Sequence, residues 1–249
     1  MISDALIIRE NNNIGEADRF VTALTRDLGV IRASVRGARN IKNRNASPTQ
    51  LLSYSRLTLI KGRDKYIVTD AQPISVFFEL RKDIEITALA QYFCELAGIL
   101  APQEEPAEEF LRLILNSLHF LAEKKRDLRL VKIVLELRML GMAGFMPDLI
   151  ACSSCGSFES ESMWLSPTSG SIICCHCSPA QPSEGGFALS PDMLAAMRHI
   201  VYSEFDKCFS FTMSEEGLKQ LSVYAEKYML VQLGRSFKTL EFYNSLHDI

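Results

Sequence analysis

Four cysteines at Cys152-x2-Cys155-x18-Cys174-x2-Cys177 restrict what this chain can build more than any other feature. Two CxxC knuckles roughly 15–20 residues apart have the spacing of a structural zinc site. The reason is geometric: Zn²⁺ takes four ligands in a tetrahedron, at about 2.3 Å for thiolates. Each CxxC turn presents two sulfurs on one side, and a hairpin that returns the second pair to the first closes the shell. Gly156, directly after the first pair, suits a tight turn at positive φ. Between the knuckles, residues 159–173 hold two short apolar stretches around a Pro/Ser/Gly turn, which predicts a hairpin. Cys175 and His176 lie inside the second knuckle and offer a swapped ligand, although the x2 spacing favours Cys174. With Cys152, Cys155, Cys174 and Cys177 all bound, no position is left for water or substrate, so the zinc is structural.

Seven cysteines, an odd number with four at metal spacing, point to a reducing compartment rather than a disulfide framework. Cys94 and Cys208 fall in apolar helical stretches and are expected in the core. No apolar run reaches the roughly 18 residues that span a bilayer. The start Met1-Ile-Ser-Asp lacks the basic and apolar regions of a signal peptide. A cytoplasmic protein without a membrane partner is expected.

The net charge of −3 hides an asymmetry. Residues 1–80 hold 12 Lys/Arg against 8 Asp/Glu, and the remainder 15 against 22. Within residues 31–66, nine cations face the single acid Asp64. Such a block in an acidic chain is a candidate polyanion-binding face.

The first 72 residues predict five short strands, at residues 4–9, 19–25, 29–36, 51–60 and 65–70. In the third, Val30, Arg32, Ser34 and Arg36 alternate with Ile31, Ala33 and Val35. Five short strands without a long helix predict a small OB-fold barrel. From Pro73 the apolar period lengthens to about 3.6, predicting a helix within residues 74–100 and others at about 106–122, 128–143, from Ser190-Pro-Asp192, and 215–233. Glu184-Gly-Gly186 has linker composition. The fold class is therefore α+β and multidomain: a barrel over residues 1–72, then a helical domain over 73–249 with the zinc hairpin inserted at 150–180.

Catalytic signatures are missing. There is no phosphate loop, no GxGxxG between strand and helix, no HExxH and no GxSxG. His119, His176, His199 and His247 are scattered without sequence partners, and a non-enzyme is expected. The remaining signal is the basic loop. Arg36, Arg39, Lys42 and Arg44 place four cations on a strand end and the loop after it, and the planar guanidinium fork suits phosphate. Tyr54 and Tyr66 offer rings on which bases could stack.

The order of parts, together with Val35-Arg-Gly-Ala-Arg39, Leu135-Glu-Leu-Arg-Met-Leu-Gly-Met-Ala-Gly-Phe-Met-Pro-Asp148 leading into Cys152-Ser-Ser-Cys-Gly156, and Ser236-Phe-Lys-Thr-Leu-Glu-Phe242, resembles the bacterial RecO recombination-mediator family over essentially the whole chain. The resemblance implies a non-catalytic, nucleoid-associated DNA repair factor. It would bind single- and double-stranded DNA, anneal complementary strands, and work with RecR to load RecA onto strands coated by single-strand-binding protein (SSB). Carried over by position, DNA contact falls on Arg36, Arg39, Lys42 and Arg44, then Arg32 and Lys61. The acidic SSB C-terminal tail would meet Lys124, Lys125, Arg126, Arg129 and Lys132 beside exposed apolar residues of the third helix. The alternative function is a zinc-stabilised interaction scaffold whose basic strip is only a solvated surface.

Overall fold

Apolar-polar alternation builds the first five strands: β1 (Ile2–Asn11), β2 (Arg19–Thr25), β3 (Gly29–Val35), β4 (Ser53–Lys61) and β5 (Tyr66–Val76). The computed structural model describes residues 1–11, 17–180 and 185–246. The strands close a barrel in the order β1-β2-β3-β5-β4, with β3 and β5 parallel and the other pairs antiparallel. The barrel is OB-like, as the strand count predicts. One side-chain set fills the interior: Ala5, Ile7, Val21, Ala23, Ile31, Ala33, Val35, Leu57, Leu59, Tyr66 and Val68. Because strand side chains alternate with period two, the intervening residues point outward.

Six helices are described: α1 (Ile84–Leu100), α2 (Glu108–Glu123), α3 (Leu128–Met142), α4 (Pro191–Tyr202), α5 (Glu215–Leu233) and α6 (Lys238–Ser245). Three short strands lie between α3 and α4: β6 (Met163–Leu165), β7 (Ile172–Cys174) and β8 (Phe187–Leu189), ordered β7-β6-β8. The chain groups into two compact units, Met1–Lys125 with Phe237–Ile249, and Arg126–Ser236.

In the first unit, the helical period does not take over at residue 74. Strand β5 runs on through Pro73, which pairs with Ser55 at a register shift, where a residue without an N–H is tolerated. A 3₁₀ turn, Phe78–Lys82, intervenes, and α1 starts only where the Asp83 side chain accepts from the Glu85 and Ile86 amides. Lys124 donates to the same carboxylate at 2.9 Å, which holds Asp83 below its ordinary pKa. Helix α6 was not expected from the pattern. It is eight residues long, and Phe237 anchors it by packing edge-on against Tyr92 at 5.9 Å, while Thr239 donates to Glu95 at 2.5 Å.

The loop into α2 is tied to the barrel at Gly29. Its φ is +61°, and a Cβ there would stand 2.1 Å from the Pro102 carbonyl oxygen and 2.7 Å from that of Glu105. The same Pro102 oxygen accepts the Val30 amide at 2.8 Å. Gly29→Ala is therefore expected to cost at least about 3 kcal/mol, combining left-handed strain with a clash against backbone. Urea denaturation of the variant checks this. A cost below about 1 kcal/mol would mean that the loop shifts freely.

In the second unit, α3 is the central helix, buried without interruption from Leu130 to Leu137. That run includes Glu136 and Lys132, the latter expected on the surface that would meet the SSB tail. Lys132 is 1% exposed, with its ammonium 2.9 Å from Glu136 and 2.8 Å from Glu226 of α5. The expected exposed apolar strip of the third helix is absent for the same reason: α4 and α5 cover it. Glu184 of the expected linker and His247 lie outside the described residues. Cys94 and Cys208 are buried, and burial pushes the Cys94 thiol up to about 12. Among the described residues no helix is long and apolar enough to cross a membrane.

Candidate functional site: a basic barrel face and a four-cysteine centre

The chain after β3 is an ordered turn-rich loop, because short polar side chains cap its backbone groups. Gly37 (φ +63°) donates its amide to Asp18 at 2.9 Å, and the Asn43 amide group donates to the Arg36 carbonyl at 2.9 Å. Asn45 bridges the loop to β5, accepting from the Ala71 amide at 3.1 Å and donating to Thr69. An open hollow of about 590 Å³ results, lined by Ala17, Gly37, Arg39, Asn40, Lys42 and Asn43. Arg39 and Lys42 thus share one concavity.

Arg32, Arg36, Arg39, Lys42, Arg44 and Lys61 are all exposed. Among the described residues, Arg32, Arg36 and Lys42 have no carboxylate partner. Arg44 meets Asp70 at 3.2 Å and Lys61 meets Glu104 at 3.4 Å, the latter bond raising the pKa of Lys61. Exposed pairs of this kind contribute only about 0–1 kcal/mol, so a phosphate can compete for either cation. Lys61 is the last residue of β4 and is not among the residues that line the hollow.

Of the two tyrosines, Tyr66 is withdrawn from any stacking role by burial, and Tyr54 is only partly exposed. Tyr66 is in the barrel core, and Tyr54 is half-buried beside Leu6, with burial raising its phenol pKa. Phe20 on β2, partly buried like Tyr54, stands on the outer side of the barrel beside cations. Register sets Arg9, Thr22 and Arg32 side by side across β1, β2 and β3, and Asn11, Phe20 and Ser34 beside them. The Lys65 ammonium lies 4.1 Å from the Phe20 ring centroid. Only strand pairing reveals this grouping, since the residues are scattered between positions 9 and 65.

In the second unit, β6 and β7 pair as the hairpin expected between the knuckles, with Met163 opposite Cys174. The turn between them uses Gly170 at φ +70°, against the Tyr228 hydroxyl. The first knuckle closes through Gly156 (φ +74°), whose amide donates to Cys152 O at 2.9 Å, and the second through Cys177 N to Cys174 O at 3.0 Å. Ser153 N donates to Ile172 O at 2.8 Å and ties the first knuckle to β7. Strand β8, absent from the sequence expectation, pairs with the other edge of β6.

The sulfurs of Cys152, Cys155, Cys174 and Cys177 all lie within 4.8 Å of one another. A tetrahedron with metal–sulfur bonds of about 2.3 Å has edges of about 3.8 Å, and the Cys155–Cys174 separation is 3.7 Å. The four thiols therefore fit a tetrahedral, thiophilic metal ion. Cys175 stays outside the cluster, its sulfur 3.1 Å from the Ser160 hydroxyl, so the x2 spacing does select Cys174.

Burial opposes ionisation of Cys152, but backbone amides of Cys155, Cys174 and Ser154 outweigh it and bring its thiol down to about 6. Ser154 draws Cys177 down, yet its neighbours Cys155 and Cys174 push that thiol up to about 12. For all four to act as thiolate ligands together, a cation must sit among them.

Arg198 of α4 was not singled out by the sequence. It donates to Leu149 O at 2.7 Å, Ile150 O at 2.9 Å and Phe158 O at 2.8 Å, and stacks on the Phe158 ring at 3.9 Å, bracing both sides of the first knuckle. Of the remaining candidates, Lys125 pairs with Glu123, and Arg129 with Asp127 at 2.9 Å and Glu215 at 3.6 Å. Lys132 is sealed within its carboxylate pair and cannot receive an incoming tail. His119 is exposed and faces Glu123 at 3.4 Å.

Comparison with known proteins covers nearly the full chain. The family model described as Recombination protein O N terminal matches residues 1–77, and that described as Recombination protein O C terminal matches residues 81–241. A DNA repair protein RecO of Acetivibrio thermocellus is 32% identical, with 99% of this chain and 97% of the relative covered. One of Symbiobacterium thermophilum is 32% identical over 98% and 97%, and one of Dehalococcoides mccartyi 29% identical over 97% and 94%.

Proposed function

Because the chain belongs to the RecO family of DNA repair proteins, we propose that its barrel binds single- and double-stranded DNA and anneals complementary strands. In the same reading it helps RecR to load RecA onto strands coated by SSB. The observation that carries this is the group of exposed cations Arg32, Arg36, Arg39 and Lys42, gathered on one strand and its ordered loop in a chain of net charge −3. Annealing requires no catalytic residue and no nucleotide. Cations that neutralise phosphates on two strands remove their mutual repulsion, and base pairing supplies the free energy. Arg44 and Lys61 join by exchanging a carboxylate for a phosphate.

The metal at the cysteine cluster is read as zinc, since four thiolates in a closed tetrahedron are its preferred structural set. It would staple the two knuckles and supply no chemistry to DNA. Lys125 of the first unit and Arg129 of the second are each a separate candidate contact for the SSB tail, able to trade a present carboxylate for one of the tail's. The protein would act in the cytoplasm, on the nucleoid.

Counterion release tests the DNA reading. Fluorescence anisotropy of a labelled single strand across a salt series is expected to give a steep log–log slope. In Arg36→Glu/Arg39→Glu the slope is expected to flatten by about 0.7 for each lost phosphate contact, about 1.4 in all. Equal affinity and slope in the two proteins would overturn the assignment and leave an interaction scaffold.

A further inference from the structure

The outer face of the first three strands changes character along its length. Leu6, Ile8 and Leu24 are buried, and Ile8 lies against Gly98 of α1. Beyond them the same face turns to Arg9, Thr22 and Arg32, then Asn11 and Phe20. Neighbouring strands are about 4.8 Å apart, so Arg9 and Arg32 flank Thr22 with Cα atoms about 10 Å from each other. Phe20, two residues along β2 from Thr22, lies about 7 Å further on. Lys65, from the turn between β4 and β5, rests on its ring. In five-stranded barrels of this topology, the face of strands 2 and 3 and the turn between strands 4 and 5 receive oligonucleotides.

We propose that this face is a single-strand track in which Phe20 is the base-stacking platform, and that it lets the protein tell single strands from duplex. The proposal rests on the DNA-binding reading above. The basic loop offers phosphate contacts that any nucleic acid can use. Phe20 is partly buried under Lys65 and offers a π-face once that ammonium moves aside; only an unpaired base can use it, because duplex bases are already stacked on one another. Lys65 does not block it. An exposed ammonium on an aromatic ring gains at most about fivefold in equilibrium terms, whereas a stacked base gains roughly 5- to 150-fold. The incoming base displaces Lys65, and the freed ammonium meets the adjacent phosphate. The competing account, that Phe20 only covers the outside of the barrel, predicts no dependence on bases.

The test compares three fluorescein-labelled probes on the full chain: an oligothymidine of about 15 nucleotides, near the upper span of one such barrel, the same backbone with abasic sugars, and a duplex of equal length. Wild-type protein is expected to bind oligothymidine at least about fivefold tighter than the abasic strand. Phe20→Leu, which keeps an apolar side chain, should abolish that gap and leave duplex affinity and salt slope unchanged, while Phe20→Tyr should retain it. Equal wild-type affinity for the thymidine and abasic strands would sink the proposal and leave the DNA reading standing, without need of any variant. Equal weakening of all three probes in Phe20→Leu would assign Phe20 a purely structural role. No binding of any probe at low salt would overturn both.

Discussion

Protein purified without chelator is expected to carry one zinc ion per chain, and Cys152→Ser to lose the ion together with the order around it. Cys152 is 3% exposed, its sulfur accepts the Cys174 amide at 3.3 Å, and its knuckle is bonded to β7. Removing one thiolate therefore undoes a metal site and a strand contact at once. Metal-binding free energy in such modules is folding free energy, so the cost should reach about 4–5 kcal/mol or more, the range that metal loss occupies. Elemental analysis and urea denaturation, with and without chelator, measure the two effects. Cys175→Ser is the matched control and should keep both metal and stability, since that sulfur lies outside the cluster. A zinc-free wild-type protein of unchanged stability would remove the metal from this account. Retention of zinc by Cys152→Ser would reassign the ligands.

The second large effect is expected at Lys132. Burial opposes its charge, but Glu136 and Glu226 outweigh burial and raise its pKa. With the folded value above the unfolded one of about 10.4, its contribution is complete below that pH and fades only as pH rises through the folded value. At neutral pH, Lys132→Met leaves two carboxylates facing each other without their cation. Breaking a buried pair from one side costs about 3–5 kcal/mol, whereas replacing both partners by apolar side chains is often neutral. Lys132→Met/Glu136→Met should accordingly recover most of the stability lost by the single variant, because Glu226 is partly exposed and can turn to water. Denaturation midpoints of the three proteins decide it. A single variant costing less than about 1 kcal/mol, or a double variant worse than the single, would show that the three charges are not coupled.

The strands, the cysteine hairpin and most helices were legible because their signals are local. Ser190-Pro-Asp192 reads as a helix start and becomes one, with the Ser190 side chain accepting from the Met193 amide and proline at the first position. Alternation in β3 assigns Ile31, Ala33 and Val35 to the interior without knowledge of a partner strand. Helix α6 carries no such signal: eight residues cannot hold a helix in water, and the contacts of Phe237 with Tyr92 and Thr239 with Glu95 bridge more than 140 positions. Lys132 misled for a related reason. A lysine in a basic run is ordinarily solvated, and only the approach of Glu226 from α5 permits its burial.

By itself the sequence determined the composition of the sites: four cysteines at a spacing that two tight turns can close, and a block of cations in an otherwise acidic chain. Those follow from ligand chemistry and backbone reach, which depend on neighbours a few residues away. Tertiary structure alone decided the arrangement: Cys174 rather than Cys175 in the cluster, Tyr66 inside the barrel, Lys132 between two acids, and Phe20 outward among Arg9, Arg32 and Lys65. Strand register and helix packing set these outcomes. Both are settled by which buried surfaces fit together over long stretches of chain, and no window of sequence contains that information.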